Sequence, residues 1–260
     1  MKTLVCFKSV YDDAAIRVSG EGEVDYSTAA RIVSTYDLNA LEGAEQLTKS
    51  NAGNSLVALC AGDTKAHDST MRKNVAARSV DEVYFVMDDM LANAETRQTA
   101  AVLAAAIEKI GDVDLVVCGD GSADLFAHQL GMQLGERMGV PHVNAVIALE
   151  QIEGGVRVTR ELDSTLEEYE LAFPCVISTL PDIGEPRMLQ VMDIMKAGAK
   201  PVHEWTLEDT GVQLPEPQWE IIEEKAPEPT PRRHIFFEAN DEGIQAFIEQ
   251  IHEYLETEGA

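Results

Sequence analysis

The sequence predicts an α/β fold with a mostly parallel sheet, helices on both faces, an antiparallel extension, and an extended C-terminal arm that ends in a helix. Three observations lead to this prediction. Short apolar, strand-like runs alternate with helical segments up to residue 143, as in parallel sheets with right-handed crossovers. Segments of alternating polarity then follow, and the last part of the chain is rich in proline and acidic residues.

The first half of the chain supplies the parallel core. Residues 2–9 form a short apolar run that predicts a buried strand, and residues 16–26 predict a hairpin or extended loop. Apolar residues at every third position predict a helix over residues 38–47, with Asp37 as its N-cap. The alternation continues with strands at residues 55–60, 82–87 and 113–118, and with helices at residues 68–78, 95–110 and 125–138.

The pattern changes after the fourth helical segment. Residues 145–151, 156–162 and 166–173 are strand-like and are separated by short turns, so they predict an antiparallel extension of the sheet. Residues 174–179 predict one more buried strand.

The C-terminal part predicts an arm and not a second core. Residues 201–233 lack clear periodicity and include Pro215, Pro217, Pro227, Pro229 and Pro231. Residues 243–255 then predict an amphipathic helix. We therefore expect an α/β domain at residues 1–200 and a C-terminal arm with its helix at residues 201–260. This acidic arm is either a solvated tail or a segment that contacts a partner.

Composition limits the possible partners and location. The 260 residues are 45% hydrophobic and 25% charged, which is typical of a globular protein. The net charge of −26 disfavours nucleic acid and anionic membranes as partners, because both require clustered lysine and arginine. No apolar run reaches the roughly 20 residues of a membrane-spanning helix. Lys8 interrupts the N-terminal apolar stretch too early for a signal peptide, so we expect a cytoplasmic protein without membrane insertion.

The cysteines and histidines do not form a metal site or a catalytic motif in the sequence. Cys6, Cys60, Cys118 and Cys175 lie in or beside apolar runs, which predicts buried, reduced thiols. No His/Cys cluster has the spacing of metal ligands. His128 is interpreted as a surface or capping histidine in preference to a general base, and we expect no catalytic residues.

Ligands of open parallel sheets bind beyond the carboxyl ends of the strands. Three turns qualify here: residues 7–9, 61–63 and 119–124. In the third, Gly119, Gly121, Ser122 and Ala123 allow a ligand to approach the backbone, and the helix that follows favours a phosphate. An ordinary strand-to-helix turn remains the alternative, because neither GxxxxGK[ST] nor GxGxxG is present.

Six motifs occur in order along the chain: residues 4–8 (LVCFK), 36–42 (YDLNALE), 119–131 (GDGSADLFAHQLG), 160–163 (RELD), 171–174 (LAFP) and 185–187 (EPR). Together they resemble the β subunit of electron-transfer flavoproteins, and especially its FixA-like branch, and the resemblance covers nearly the whole chain.

The resemblance implies a Rossmann-like fold of the adenine nucleotide α-hydrolase type without hydrolase activity. It implies an electron carrier, not an enzyme, that pairs with a larger α subunit (FixB-like) holding the redox FAD. The β-subunit pocket would contain AMP or, in bifurcating members that oxidise NADH, a second FAD. A dehydrogenase or quinone reductase would be the redox partner. FixA-like proteins occur in carnitine or acyl-CoA metabolism and in electron supply for nitrogen fixation.

The resemblance also implies particular site residues. Phe126 and Ala127 stand where the best-known pocket motif has an acid and a threonine or cysteine, which leaves the nucleotide undecided between AMP and FAD. Residues 181–200 correspond to the partner-recognition segment, in which Glu185, Arg187, Leu189 and Met192 would meet a dehydrogenase; an ordinary loop and helix is the alternative. The cofactor pocket would be lined by Cys6, Phe7, Lys8, Ser34, Thr35, Tyr36, Asp37, Ala61, Gly62, Asp63, Gly119, Gly121, Ser122, Ala123, Asp124, Ala127, His128, Gln129, Leu130 and Gly131.

Two other functional classes fit the sequence motifs less well. A universal-stress-type nucleotide-binding regulator would share the fold class, but residues 119–131 do not form its GxxGxxxxG[ST] loop. A hydrolase or ligase of adenine nucleotides would need a pyrophosphate loop such as SGGxDS, which is absent from the sequence.

Overall fold

A computed structural model describes residues 1–66, 69–228 and 234–258, with side chains up to residue 255. The strands in this part of the chain are β1 (Lys2–Cys6), β2 (Ser9–Tyr11), β3 (Arg17–Val18), β4 (Val24–Asp25), β5 (Arg31–Val33), β6 (Ser55–Gly62), β7 (Glu82–Met87), β8 (Leu115–Gly119), β9 (His142–Ile152), β10 (Gly155–Leu162), β11 (Thr165–Ala172), β12 (Cys175–Thr179) and β13 (Val202–Trp205). The α-helices are α1 (Thr35–Lys49), α2 (Ser69–Ala76), α3 (Thr96–Ile110), α4 (Leu130–Met138), α5 (Val191–Ala197), α6 (Leu207–Thr210) and α7 (Asp241–Glu258).

The main sheet has nine strands in the order β11-β10-β9-β12-β8-β1-β6-β7-β13. All neighbours from β9 to β13 pair in parallel, whereas β10 is antiparallel to both β9 and β11. The predicted mostly parallel sheet with an antiparallel extension is therefore confirmed. Two small antiparallel pairs, β2–β5 and β3–β4, lie in the connection between β1 and α1.

Helices cover both faces of the sheet, as predicted. Side chains of a strand point alternately to opposite faces. In β1 and just beyond it, Leu4 and Cys6 belong to one buried apolar cluster, and Val5 and Phe7 belong to the other. The first cluster includes the apolar faces of α3 and α4, and the second those of α1 and α2. Strands buried on both sides explain why the sequence shows continuous apolar runs.

Two predicted helix starts are wrong. The first helix begins at Thr35 and not at residue 38, with Ser34 in the N-cap position; Asp37, the predicted N-cap, lies inside the first turn and uses its carboxyl group elsewhere. The helix predicted to begin at residue 125 begins at Leu130. Phe126 and His128 have left-handed backbone conformations (φ 48° and 54°), which a right-handed helix cannot contain.

Other boundaries differ in smaller ways. The predicted strand at 2–9 divides into β1 and β2, and the hairpin at 16–26 is present as β3 and β4. The second helix was predicted to begin at Asp68, which lies outside the described residues. The first described residue of this helix is Ser69.

The region predicted as an arm begins with elements of the main sheet. Strand β13 pairs in parallel with β7, and the side chain of Leu207 in α6 is buried among residues of the α3–α4 face. The chain beyond α6 lacks regular structure until α7, within the described residues; Pro229 and Pro231 lie outside them. The domain boundary at residue 200 remains a prediction.

Ion pairs connect the three strands of the antiparallel extension. Arg157 of β10 forms ion pairs with Glu150 of β9 (2.8 Å) and with Glu170 of β11 (2.7 Å). Glu167 and Glu168 are further acidic residues of the edge strand β11. No helix among the described residues has the length and apolar character required to cross a membrane.

Replacing Leu207 with alanine should lower the free energy of unfolding by about 2–5 kcal/mol, because the change leaves a cavity under β13. Urea denaturation followed by circular dichroism measures this difference. The matched control is Ile222→Ala, at a side chain that is 91% exposed, which should change the value by less than about 0.5 kcal/mol. Equal stability of the two variants would show that residues 202–210 are not part of the folded body.

Candidate functional site

The three turns predicted to bind a ligand lie side by side. Strands β8, β1 and β6 are adjacent and parallel, so the segments that follow them emerge at the same edge of the sheet. Lys8 follows β1, Asp63 follows β6, and Asp124 lies in the loop after β8. This edge is the candidate functional site, and the contacts below describe it from the buried layer outwards.

A buried carboxylate joins two of these turns. Asp37, in the first turn of α1, accepts hydrogen bonds from the backbone N–H groups of Lys8 (2.7 Å) and Gly119 (3.2 Å). The backbone of Lys8 is also held by Ser34, whose N–H donates to the Lys8 carbonyl (3.0 Å). A side chain at Gly119 would collide with the Asp37 carboxylate and with Tyr36. Glycine is therefore required where β8 ends against α1.

Burial raises the pKa of Asp37 to about 7, although the two backbone hydrogen bonds and the nearby Lys8 ammonium group act in the opposite direction. The net effect shows that desolvation outweighs these contacts. Asp37 is therefore a buried acid at the base of the site that titrates near neutral pH.

Lys8 and Asp124 face each other across the site. The Lys8 ammonium group lies 2.7 Å from one Asp124 carboxylate oxygen and 2.8 Å from the other. Burial acts to raise the pKa of Asp124, but hydrogen bonds from Lys8, Ser122 and the Leu125 backbone lower it overall. Both side chains are about 40% exposed, and ion pairs at such exposure contribute little stability. A bound anion could therefore replace Asp124 as the partner of Lys8 at low cost.

The loop between β8 and α4 is fixed by a second buried acid. Asp120 binds the His128 ring Nδ1 through one carboxylate oxygen (2.6 Å) and accepts the Ala145 backbone N–H at the other (3.3 Å). Its own N–H donates to the Thr179 carbonyl at 3.0 Å. His128 is thus a partner of Asp120, and its side chain is partly exposed.

Phe126, at the position where the best-known pocket motif has an acid, pairs its ring with that of Tyr36. The Phe126 ring lies 5.3 Å from the Tyr36 ring and packs against Gly121, where an added Cβ would collide with the Phe126 ring. The bend is therefore covered by a side chain on that face. Phe126 remains about half exposed and is held in a left-handed conformation that is unfavourable for a bulky residue.

The turn after β6 is linked to the β2–β5 pair through Arg31. The Arg31 guanidinium forms an ion pair with Asp63 (3.1 Å), donates to the Ser9 carbonyl (3.3 Å) and lies over the Tyr11 ring (3.9 Å). Gly62 precedes Asp63, and a side chain there would crowd Ala66. These contacts fix the third predicted turn relative to the first.

Helix α4 directs its amino end towards the loop that carries Asp124. Gln129 occupies the N-cap position without a side-chain capping bond, and Leu130 and Gly131 open the helix. The first N–H groups of a helix have no intrahelical acceptor and carry partial positive charge. Gly131 lies against Ser178 of β12, where a Cβ would collide with the Ser178 hydroxyl. Glycine therefore lets this helix end approach the sheet closely.

The remaining predicted pocket residues divide into buried and exposed groups. Cys6 and Phe7 are in the core, so only their backbone can border a ligand. Cys6 hydrogen-bonds Cys118, which together with burial raises the pKa of the Cys6 thiol. Ala123 donates its N–H to the Ser34 hydroxyl at 3.3 Å. Ala61 is half-buried, and Thr35 and Ala127 are exposed.

All four cysteines are free and buried, as predicted. Burial raises the pKa of Cys60 and Cys175 to about 12, so these thiols stay protonated at neutral pH. Among the described residues, no group of three or more His, Cys, Asp or Glu side chains could hold a metal ion.

The predicted partner-binding residues lie on a segment that is held against α1. Arg187 forms ion pairs with the buried acids Glu42 (3.1 Å) and Glu45 (2.5 Å). Leu189 is half-buried and packs against the core, whereas Met192 is 60% exposed. Glu185 is also exposed, and Met188, Val191 and Met195 add large exposed apolar side chains beside Met192.

Two surface cavities lie away from the predicted site. One, of about 500 Å³, lies between α1 and β9 beside Gln46 and Gln151, and the other, of about 610 Å³, lies between α3 and α4 beside Gln133. Neither is lined by the residues that the sequence assigns to the cofactor pocket.

An open, mostly parallel sheet whose carboxyl edge carries a lysine, a glycine-rich loop and a helix amino end defines the Rossmann-like class of α/β proteins. The family model described as "Electron transfer flavoprotein domain" matches residues 24–210, well over half of the chain. The chain belongs to this family. Members of the family are electron carriers associated with flavin, and they act with another subunit of the flavoprotein and with dehydrogenases.

Some residues that shape the edge were missed in the sequence. Asp120 lies between two residues of the predicted pocket, and its place directly after a buried strand was a signal that could have identified it. Arg31 and Tyr11 gave no such signal, because their contacts depend on the pairing of β2 with β5.

Replacing Asp37 with asparagine should change how stability depends on pH. The folded chain keeps the Asp37 proton up to about pH 7, whereas the unfolded chain loses it near pH 3.8. Between these values the folded state binds more protons, so this residue makes the wild type less stable as the pH rises. The unfolding free energy of the wild type minus that of Asp37→Asn should therefore fall between pH 4.5 and 7.5.

Urea denaturation of both proteins across this range measures the difference. Subtracting the variant removes the contribution of the many other acids. A difference that stays constant or grows with pH would contradict the raised pKa of Asp37.

Proposed function

We propose that this chain is the β subunit of a FixA-like electron-transfer flavoprotein, which binds an adenine nucleotide at the carboxyl edge of its sheet and pairs with an α subunit. The observation that carries the nucleotide assignment is the position of Lys8. Its ammonium group lies at the joined ends of β1 and β8 and is paired with the half-exposed carboxylate of Asp124, which an anion can replace.

The side chains at this edge fit a phosphorylated nucleoside. Lys8 and the free N–H groups at the start of α4 are donors for phosphate oxygens. The carboxylates of Asp124 and Asp63 and the hydroxyl of Ser122 can accept or exchange hydrogen bonds with a ribose or a base. AMP and the AMP half of FAD present the same groups to such a site. Flavin in the α subunit would supply the redox chemistry, and this chain would supply binding and orientation.

The surface of α7 supports assembly with a second subunit. Ile244, Phe247, Ile248, Ile251 and Leu255 lie on one face of this helix, and each is at least 41% exposed. A helix face of this kind normally packs against another surface. We assign it to the α subunit that the family provides as a partner.

The segment 185–195 supports a second contact, with a redox partner. Its exposed residues Met188, Val191, Met192 and Met195 form a methionine-rich apolar surface. Methionine side chains adapt to differently shaped partners. Arg187 and Leu189 act in this proposal by holding the segment against α1, and the dehydrogenase or quinone reductase contacts Met192 and its exposed neighbours.

Replacing Lys8 with methionine should weaken AMP binding about tenfold or more, because a charge-assisted hydrogen bond to phosphate is lost. Isothermal titration of the full chain with AMP measures the dissociation constant. Lys73→Met is the matched control, since Lys73 is an exposed lysine of α2, outside the predicted pocket, and its loss should leave the constant unchanged. Equal affinity of both variants and the wild type would contradict the assignment of Lys8.

Replacing Phe247 with aspartate should prevent assembly with the α subunit. Co-expression of the wild type with an electron-transfer flavoprotein α subunit should yield a yellow heterodimer, which size-exclusion chromatography with absorbance near 450 nm detects. Phe247→Asp places a charge in the apolar face of α7 and should abolish the complex. Ala246→Asp adds the same charge on the opposite side of the helix and should retain it. Colourless, monomeric wild-type protein would overturn the proposed function.

A further inference from the structure

The chain between α6 and residue 226 folds back over the domain. We call residues 214–226 the strap. At one end of the strap, the Gln98 side-chain amide donates to the Pro215 carbonyl (2.7 Å), and the Glu95 carboxylate accepts the backbone N–H groups of Gln218 and Trp219 (3.0 Å for Trp219). Glu95, the N-cap residue of α3, and Gln98, in the first turn of this helix, are both buried. This end is therefore firmly attached.

The other end of the strap is attached to the β3–β4 hairpin. The Tyr26 hydroxyl donates to the Glu224 carboxylate, and the Ala226 N–H donates to the Gly22 carbonyl at 2.9 Å. Tyr26 is partly buried and Glu224 is exposed, and the hydrogen bond between them is accessible to water. One side-chain and one backbone hydrogen bond in contact with water hold less strongly than the buried contacts at Glu95. If one end is released, it is the end at Tyr26.

The strap runs along the same edge of the sheet as the candidate nucleotide site. The first turn of α3 follows β7, and the β3–β4 hairpin follows β1, so both attachments lie at the carboxyl edge. The second attachment also contacts the site through packed side chains. The Tyr26 ring lies 4.7 Å from the Tyr11 ring, and Arg31, which covers Tyr11, is paired with Asp63.

The charge of the strap opposes phosphate. Glu216, Glu220, Glu223 and Glu224 lie within it, against the single cation Lys225. Carboxylates placed along an edge repel a phosphate that approaches the same edge. A nucleotide that enters from this side therefore meets both a physical and an electrostatic barrier.

From these contacts we propose that the strap is a cover of the nucleotide-binding edge, and that exchange of the nucleotide requires release of Glu224 from Tyr26. This inference rests on the proposed function for the identity of the ligand. The hydrogen bond to Glu224 raises the pKa of Tyr26 to about 12, so the contact persists throughout the physiological pH range. Release then depends on competition for the strap and not on proton loss from Tyr26.

The test uses the full chain and the fluorescent nucleotide N-methylanthraniloyl-AMP in stopped-flow experiments. Tyr26→Phe removes the hydroxyl but keeps the ring that packs on Tyr11. The association and dissociation rate constants should both rise about three- to tenfold, the range expected for one lost hydrogen bond. Tyr169→Phe is the matched control, because the exposed Tyr169 hydroxyl also donates to a glutamate, Glu167 (2.8 Å), on the edge strand β11. Its rate constants should equal those of the wild type.

Other outcomes separate the cover from the nucleotide assignment. If Tyr26→Phe binds the fluorescent nucleotide and the wild type does not, the result supports the cover, because the wild type is then closed. Unchanged rate constants in Tyr26→Phe overturn the cover and leave nucleotide binding intact. Failure of both proteins to bind overturns both proposals.

Hydrogen exchange measured by mass spectrometry tests the strap without a ligand. The amides of Trp219 and Ala226 should be protected in the wild type, and Tyr26→Phe should lose protection at Ala226 but keep it at Trp219. Exchange of both amides at the rate of an unfolded chain in the wild type would overturn the proposal, whatever the nucleotide result.

Discussion

The arrangement of the site depends on one buried carboxylate. Asp37 accepts hydrogen bonds from one backbone N–H group just after β1 and from another at the end of β8. A single side chain of α1 therefore fixes the distance between two neighbouring turns. Removing an acid from water is costly unless its oxygens are hydrogen-bonded, and here both bonds come from the backbone that must be positioned. Lys8 and the loop containing Asp124 take their places from this contact. Their ion pair is too exposed to define the geometry by itself.

The fold could be predicted to a large extent because its main signals are local. Strands buried on both faces appear as apolar runs, and glycines directly after amphipathic segments mark the ends of α3 and α4. The elements that were missed depend on distant partners. Strand β13 is short and is defined by its pairing with β7, and β5 by its pairing with β2. The proline-rich composition therefore predicted the lack of regular structure in residues 211–228, but it concealed strand β13 and helix α6 before them.

The meeting of the three turns at one edge of the sheet could be predicted, because segments that follow adjacent parallel strands emerge at the same edge. The pattern did not reveal how the loop closes. Phe126 and His128 have left-handed conformations, and their side chains contact Tyr36 of α1 and Asp120 at the start of the loop. Neither contact joins residues that are close enough in sequence for a local pattern to show it. The helix was consequently predicted to begin at residue 125, whereas it begins at Leu130. The strap was equally hidden, since Glu95 and Tyr26 are more than a hundred residues from the groups they bind.

The acidic outer strand of the antiparallel extension has a consequence for solubility at high concentration. A free strand edge offers unpaired amides and carbonyls to any other chain that can add a strand. The edge strand β11 carries Glu167, Glu168 and Glu170, and Arg157 of the neighbouring strand β10 pairs with Glu150 of β9 and with Glu170 of β11. Two copies brought together at this edge would place like charges side by side. The sheet therefore resists continuation into a fibril or a strand-paired homodimer, which leaves association to the helical surfaces.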